Sequence, residues 1–486
     1  MNLMKKTMMF CWILTMALAV GCFPDDSVPP KKLNGSTDTN AGEDVEILMT
    51  AVDESMLGVE MPSIAFDKYV SLNASNVIHI DDQTQYQEID GFGAALTGSS
   101  AYLLRSMDTE ERGRVLRELF DPEEGLGISA LRLSIGACDY SLDFYTYCDT
   151  PPISNFAIHS TDRRDLLPIL KEVLALNPDI RIFATTWSAP KWMRTGDRWT
   201  GDPGDSGLKD ECIEDFAEYY LKYVQAMAEE GIDIYGICPQ NEPLSSGNAM
   251  SMRMTAAQQI TFIKSLGAKF KANGINTKII CFDHNWDLNQ FVKDVYADPE
   301  AFEIVDGAAF HAYGGTLQGQ IEIKSLYPTK NIYFTEQSGG GWAPGFGNNL
   351  KWWMSNLFIG AVNNWSKCVL LWNLMLDANH GPYLTPGAAT NCYGLLEQAA
   401  EGGYTRYSEY YAVKQMRVIR TGARIIGTSG YTPSGLMRVA AKNPDGSKAL
   451  VVYNETGADQ SITVSDGTHL FSYTVPNETI ASFHWK

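Results

Sequence analysis

The chain has 486 residues, 45% of them hydrophobic and 20% charged, enough apolar surface for a large core and too much for a disordered chain or a fibre. Its 38 lysines and arginines face 58 aspartates and glutamates, a formal net charge of −20, and such a balance repels phosphate backbones and anionic lipid surfaces. Nucleic acid is excluded as a partner, and a neutral ligand fits better.

Lys5 and Lys6 precede an apolar run from Met8 to Val20 and then Gly21-Cys22, the layout of a secretory signal whose run is too short to span a bilayer permanently. Ala19-Val20-Gly21-Cys22 resembles the lipobox of bacterial lipoproteins, with Ala19 standing where leucine is usual. Residues 1–22 are therefore expected to be a lipoprotein signal peptide. The protein is expected to be exported and anchored through lipid on Cys22, at the surface or in the periplasm of a Gram-negative-type bacterium, touching the membrane only there. Residues 23–63 are rich in Pro, Asp, Ser, Thr, Asn and Gly up to about Met61 and read as a flexible tether. Apart from Cys11 and Cys22, seven cysteines remain, an odd number with no C-x-x-C pair. Those in apolar runs read as small hydrophobes, and a bridge between Cys138 and Cys148 across one loop stays open.

Residues 64–88, including Val77-Ile78-His79-Ile80, have strand composition. Eight short apolar runs follow, at Ile89–Leu96, Ala130–Gly136, Asp179–Ser188, Ile234–Glu242, Lys278–Asn285, Val305–Tyr313, Asn331–Ser338 and Cys368–Leu376. Between them lie stretches with apolar spacing near 3.6, such as Asp108–Phe120, Asp165–Leu176, Cys212–Glu230, Thr255–Asn273 and Leu350–Asn364. Strand and helix alternating in this way predict an α/β fold of the (β/α)8 TIM barrel type over residues 89–420. The Gly-rich phosphate loop of a doubly wound sheet is missing, since Gly91-Phe92-Gly93 stops short of that pattern. After a last helix at Tyr407–Val418, residues 421–486 turn to strands at Leu436–Ala441, Lys448–Tyr453, Gln460–Val464 and Thr479–Trp485, with a hairpin signal at Asn443-Pro444-Asp445-Gly446. Four strands are few for a sandwich, so residues 64–88 are expected to return and complete a side β-domain built from both ends of the chain.

Two of the eight runs end in a lone glutamate: Glu242, followed by Pro243, and Glu336, followed by Gln337 and Ser338. A retaining glycosidase needs such a pair, one acid to protonate the leaving oxygen and one carboxylate to attack the anomeric carbon, on rigid elements about 5–5.5 Å apart. The carboxyl ends of barrel strands supply that placement. Asn241-Glu242-Pro243 alone is also compatible with a turn or a helix start.

The motifs Asp90-Gly91-Phe92-Gly93-Ala94-Ala95, Leu131-Arg132-Leu133-Ser134-Ile135-Gly136, Cys138-Asp139-Tyr140-Ser141, Thr186-Trp187-Ser188-Ala189-Pro190, Asn241-Glu242-Pro243, His311-Ala312-Tyr313, Thr335-Glu336 and Leu371-Trp372-Asn373-Leu374 occur in order on the predicted strands. From about Ile64 to Lys486 the chain resembles glycoside hydrolase family 30, the glucosylceramidase-related retaining β-glycosidases. The run Tyr145–Pro151 and the length are similar to its microbial endo-β-1,6-glucanases. The resemblance implies Glu242 as acid/base and Glu336 as nucleophile. It also implies Asn241 on the hydroxyl beside the anomeric carbon, with Asp139, Trp187 and Trp372 shaping the first sugar subsite. Arg132 and Tyr313 are expected to donate to Glu336 and keep it ionised, which in turn would hold a proton on Glu242; His311 is expected to support the pair. Trp192, Trp199, Trp286 and Trp342, in loops after strands, are candidates for further subsites, whereas Trp352 and Trp353 sit on a helix. Ser338-Gly339-Gly340-Gly341 reads as a flexible loop.

Asp283-His284 and His311 are of metal-ligand type, but no H-E-x-x-H or comparable spacing is present and glycosyl transfer between two glutamates needs no metal. No metal or cofactor is expected, and no G-x-S-x-G elbow supports a serine hydrolase. The expected function is a monomeric retaining glycosidase acting on β-glucan or a β-glucoside, with endo-β-1,6-glucanase first. The alternatives are an exo-acting β-glucosidase or β-xylosidase, a glucosylceramidase-like enzyme, and a catalytically silent glycan-binding barrel.

Overall fold

A computed structural model describes residues 45–67, 75–196, 198–199, 206–245, 247, 249–343, 345–385, 391–400 and 402–486. The expected signal peptide, the lipid-bearing Cys22 and the first part of the tether lie outside these residues. All eight predicted barrel runs are strands: β1 (Gly91–Ala95), β2 (Ala130–Ser134), β3 (Arg181–Thr185), β4 (Ile234–Cys238), β5 (Lys278–Asn285), β6 (Gly307–His311), β7 (Asn331–Glu336) and β8 (Ser366–Leu371). They close into one parallel barrel, with β8 hydrogen-bonded to β1 from Cys368 opposite Gly91 to Leu371 opposite Ala94. On its other side β1 comes close to β2: a Cβ on Gly93 would lie 2.0 Å from the carbonyl oxygen of Ala130, so only glycine fits.

The barrel interior is layered. Ala130, Phe183, Cys238, Ile280, Ala309, Tyr333, Cys368 and Leu370 form a closed apolar cluster. Two residues further along β2, β6 and β7 the same face carries Arg132, His311 and Thr335, because side chains on one face recur with period two. The strands thus change from apolar to charged toward their carboxyl ends, where sites of this fold are built.

Strands 375–377, 396–398 and 404–406 form a small three-stranded sheet, and nine others form a sheet in the order 470–475, 460–465, 77–88, 424–430, 436–442, 448–454, 479–485, 45–51, 59–64. Phe471 and Phe483 lie on strands separated by five others in that order, yet their rings are 5.4 Å apart; the sheet therefore folds back on itself as a sandwich. Leu450 and Val452 face its inner core, while Ala449, Val451 and Tyr453 pack into the barrel's cluster. Both faces being buried, residues 449–453 read as a continuous apolar run.

Two expectations about the chain's ends need correction. The tether does not reach residue 63: Val45–Ala51 is a strand paired antiparallel with Thr479–Trp485, and Val59–Ile64 pairs with Val45–Ala51 in turn. Apolar Val45, Ile47 and Met49 go into the sandwich core, a signal diluted by the polar residues around it. The side domain thus takes strands from residue 45 onward, and 424–430 and 470–475 add two more that the sequence reading passed over. The predicted helix over Leu350–Asn364 is an α-helix, Phe346–Trp352, continued as a π-helix over Trp353–Ala361. All seven described cysteines are free thiols, Cys138 and Cys148 included.

Candidate active site

Arg132 of β2 is the hub. Its side chain is 1% exposed and donates to the Glu336 carboxylate of β7, to Asn241 Oδ1 at 2.7 Å and to Asp283 Oδ2 at 2.9 Å. Burial opposes the charge on Arg132, but Asp283 and Glu336 outweigh it and raise its pKa above the ordinary value. The guanidinium also lies 4.8 Å from the ring centre of Trp187, a cation–π contact. Tyr313, in the loop after β6, donates to Glu336 Oε1 at 3.0 Å. Both expected donors to Glu336 are thus in place.

Asp283, of metal-ligand type by sequence, is a fully buried carboxylate of this site. Period two from Ile280 would turn Phe282 inward. Instead the pairing of β5 with β6 shifts register between Phe282 and His284, and Phe282 and Asp283 have φ of 77° and 68°. This bulge sends Phe282 outward against Phe291 and Phe310 and Asp283 into the barrel. There it accepts from Arg132, from Thr335 Oγ1 at 2.6 Å and from His311 Nε2 at 3.2 Å. Burial alone would raise its pKa, but Arg132 and His311 hold it well below the ordinary carboxylate range.

Glu242 sits four residues past β4 in a left-handed conformation, φ 44°, held by its N–H donating to the Asp283 carbonyl at 3.0 Å; strain of this kind collects at functional sites. His311 Nδ1 lies 3.1 Å from Glu242 Oε1 and 3.9 Å from Glu336 Oε1. The two glutamate oxygens are therefore separated by no more than the sum of those distances, a span that contains the retaining separation. The surroundings of Glu242 oppose the proton that ionised Glu336 alone would hold on it. Burial raises the Glu242 pKa, but hydrogen bonding and charge from His311 more than reverse this and lower it. His311, opposed by burial and favoured by Glu336, Asp283 and Glu242, is pushed up to about 9. Both shifts favour an ionised Glu242 against a protonated His311, a pair that titrates together.

Trp187, after β3, and Trp372, after β8, are buried with ring centres 5.2 Å apart, forming one apolar wall. Asp139, in the loop after β2, is buried with Oδ1 free of hydrogen-bond partners, and burial with the charges of Glu336 and Glu242 pushes it up to about 8. That shift favours its protonated form, which can donate to a sugar hydroxyl as well as accept. Asn373, beside Trp372, is fully buried with both amide atoms unpartnered.

Two expectations about loops change, those for Trp286 and for Ser338–Gly341. Trp286 is 2% exposed, hydrogen-bonded to Gln320 and packed on Phe334, so it belongs to the barrel shell. Trp342 is 50% exposed on the loop after β7, and Trp199 stacks on Phe144. The Ser338–Gly341 loop is tied down through bridges of Ser338 to Trp372 and Gly340 to Cys392. Its glycines allow this packing: a Cβ on Gly339 would fall 1.7 Å from Glu409 Oε1.

The Glycosyl hydrolase family 30 TIM-barrel domain profile matches residues 89–404, and the family's beta sandwich domain profile matches residues 422–483. The chain belongs to glycosyl hydrolase family 30. Family 30 enzymes are retaining glycoside hydrolases, in keeping with two glutamates held on one imidazole at the barrel mouth. The endo-1,6-beta-D-glucanase of Trichoderma harzianum is 31% identical over 433 residues, covering 84% of this chain and 86% of that one. The lysosomal acid glucosylceramidase of Mus musculus is 24% identical over 444 residues, covering 84% and 83%. A solved endo-beta1,6-glucanase superposes with a TM-score of 0.86 at 38% identity, covering 91% of this chain and 99% of that one.

Proposed function

We propose that this family 30 hydrolase is an endo-acting β-1,6-glucanase in which Glu336 attacks the anomeric carbon and Glu242 handles the leaving-group proton. The observation that carries the substrate is similarity along nearly the whole length to an endo-beta1,6-glucanase structure, at 38% identity, joined to a site complete in both glutamates. In the first step Glu336, aligned by Arg132 and Tyr313, forms a glycosyl ester. The proton shared by Glu242 and His311 reaches the departing oxygen through Glu242, the member of the pair nearer the cleft, with 14% of its side chain exposed against none for His311. In the second step water attacks the anomeric carbon as Glu242 takes its proton, and the bond to the Glu336 carboxylate breaks. Asn241, whose Oδ1 is engaged by Arg132, keeps its amide hydrogens for the neighbouring sugar hydroxyl. Asp139, Trp187 and Trp372 form the first subsite.

Among the described residues, the large exposed hydrophobics on loops after barrel strands are Tyr313 and Trp342, a narrow apolar surface for a lipid glycoside, which favours glucan. The signal-like segment with Cys22 supports export and a lipid anchor, and the chain acts as a monomer in this reading. Product analysis over time on β-1,6-glucan, β-1,3-glucan, xylan and an aryl β-glucoside tests it. Mixed oligosaccharides appearing early from β-1,6-glucan alone are expected. Glucose or xylose as the sole early product overturns the endo assignment, and no product from any of them overturns the glucanase reading.

A further inference from the structure

Glu242 has imidazoles on two sides. His311 Nδ1 is 3.1 Å from its Oε1 and His284 Nδ1 is 3.6 Å from the same oxygen, and the ligating atoms of the three residues all lie within 4.8 Å of one another. We propose that Glu242, His284 and His311 form a binding site for one borderline divalent transition-metal ion of the Zn2+ or Co2+ class.

Three features carry this. An ion about 2.0–2.2 Å from N and O donors in a tetrahedron spaces them about 3.3–3.5 Å apart, so the two measured edges bracket the required one. His311 is already oriented as a ligand: its Nε2 is engaged by Asp283 Oδ1 at 3.2 Å, and Asp283 is itself fixed by Thr335 and Arg132. This is the carboxylate–imidazole support that metal-bound histidines use. His284 is 5% exposed and its Nδ1 has no hydrogen-bond partner among the described residues, a buried polar atom 3.6 Å from the Glu242 carboxylate. Two imidazoles with one carboxylate select transition ions over Ca2+ and Mg2+, which require oxygen. The ion takes the place of the proton between Glu242 and His311 and leaves a coordination position toward Glu336, whose Oε1 is 3.9 Å from His311 Nδ1.

Such an ion also occupies the carboxylate that must reach the glycosidic oxygen, so reversible inhibition follows. That consequence rests on the acid/base assignment above; the binding does not. The test is a Co2+ titration of the full chain, freed of metal by a chelator and followed by visible absorption, with Zn2+ displacement measured by calorimetry. One equivalent with the intense bands of a four- or five-coordinate ion is expected, weakened by about tenfold or more in His284→Ala and unchanged in His484→Ala. His284→Gln, which keeps the volume, serves if the alanine variant melts early. Affinity equal to wild type in both His284 variants, a pale six-coordinate spectrum, or no binding up to millimolar Co2+ overturns the site. Binding with the expected spectrum but no loss of glucan hydrolysis upholds the site and refutes the role given to Glu242.

Discussion

Replacing Arg132 with methionine should be among the costliest single changes in this protein, and its cost should depend on pH. The side chains of Arg132 and Asp283 are 1% and 0% exposed, so removing the cation leaves a carboxylate without its chief partner in a dry layer. Breaking a buried pair from one side costs about 3–5 kcal/mol, roughly 3–5 °C in melting temperature for a chain of this size. In the wild type the depressed Asp283 pKa contributes stability above the unfolded value, 3.8, and that contribution fades as pH falls below it. In the variant the lowering influence of Arg132 is gone and burial dominates, so Asp283 tolerates acid and is penalised once it ionises. The difference in melting temperature should therefore widen from pH 4 to pH 7. Asp283→Asn added to Arg132→Met should recover much of the loss at pH 7, because the stranded charge goes with it. Melting curves of the three proteins across that range make the check. A penalty under about 1 kcal/mol, far from the buried-pair range, or one that does not change with pH, refutes the charge argument.

Glu336→Gln should abolish turnover on every substrate, while Glu242→Gln should lose about 10²–10⁴-fold on glucan but far less in the glycosylation burst with an activated aryl glucoside; equal losses on both count against the roles. In His311→Gln the alkaline limb of kcat/KM should move to lower pH: the wild-type pair releases its shared proton near the His311 value, about 9, and the variant has only Glu242 to hold one. An unmoved limb in the pH–rate profile contradicts the shared proton. Glu409 is buried beneath Gly339 with its pKa raised by burial from 4.5 to about 7. A raised carboxyl contributes stability below its unfolded value and loses it as pH climbs through the folded one, on the order of 3 kcal/mol by pH 8. Glu409→Gln should therefore gain in melting temperature relative to wild type between pH 5 and pH 8, and parallel melting curves would contradict this.

The barrel was legible in the sequence because each strand is a short apolar run bounded by amphipathic stretches, and Glu242 and Glu336 because each ends such a run. Arg132 and Tyr313 stand where the resemblance to family 30 led one to expect them. What escaped depends on relations no local pattern carries. Asp283 follows an apolar run that reads as a plain strand, and only the register shift against β6 reveals which way it points. Val45–Ala51 looks like tether while averaged with its polar neighbours, and becomes a strand only because Thr479–Trp485, more than four hundred residues away, offers an edge to pair with. The glycine-rich loop after Glu336 has the composition of a flexible segment, yet its missing side chains are what let Glu409 and Trp372 lock it.

The same distinction applies to the proton beside Glu242. Considering only two glutamates, like-charge repulsion puts the proton on the one not needed as nucleophile. The barrel adds a third carboxylate, Asp283, that never meets substrate, and one imidazole that touches all three. With Arg132 already shared between Asp283 and Glu336, His311 is the remaining cation within reach of Glu242, and three surrounding carboxylates make it a stronger base than any of them. A proton stored there, one hydrogen bond from Glu242, leaves the acid available without requiring a raised pKa on the acid itself. It also ties the working pH range to His311 and Asp283, two residues that sit behind the reacting atoms.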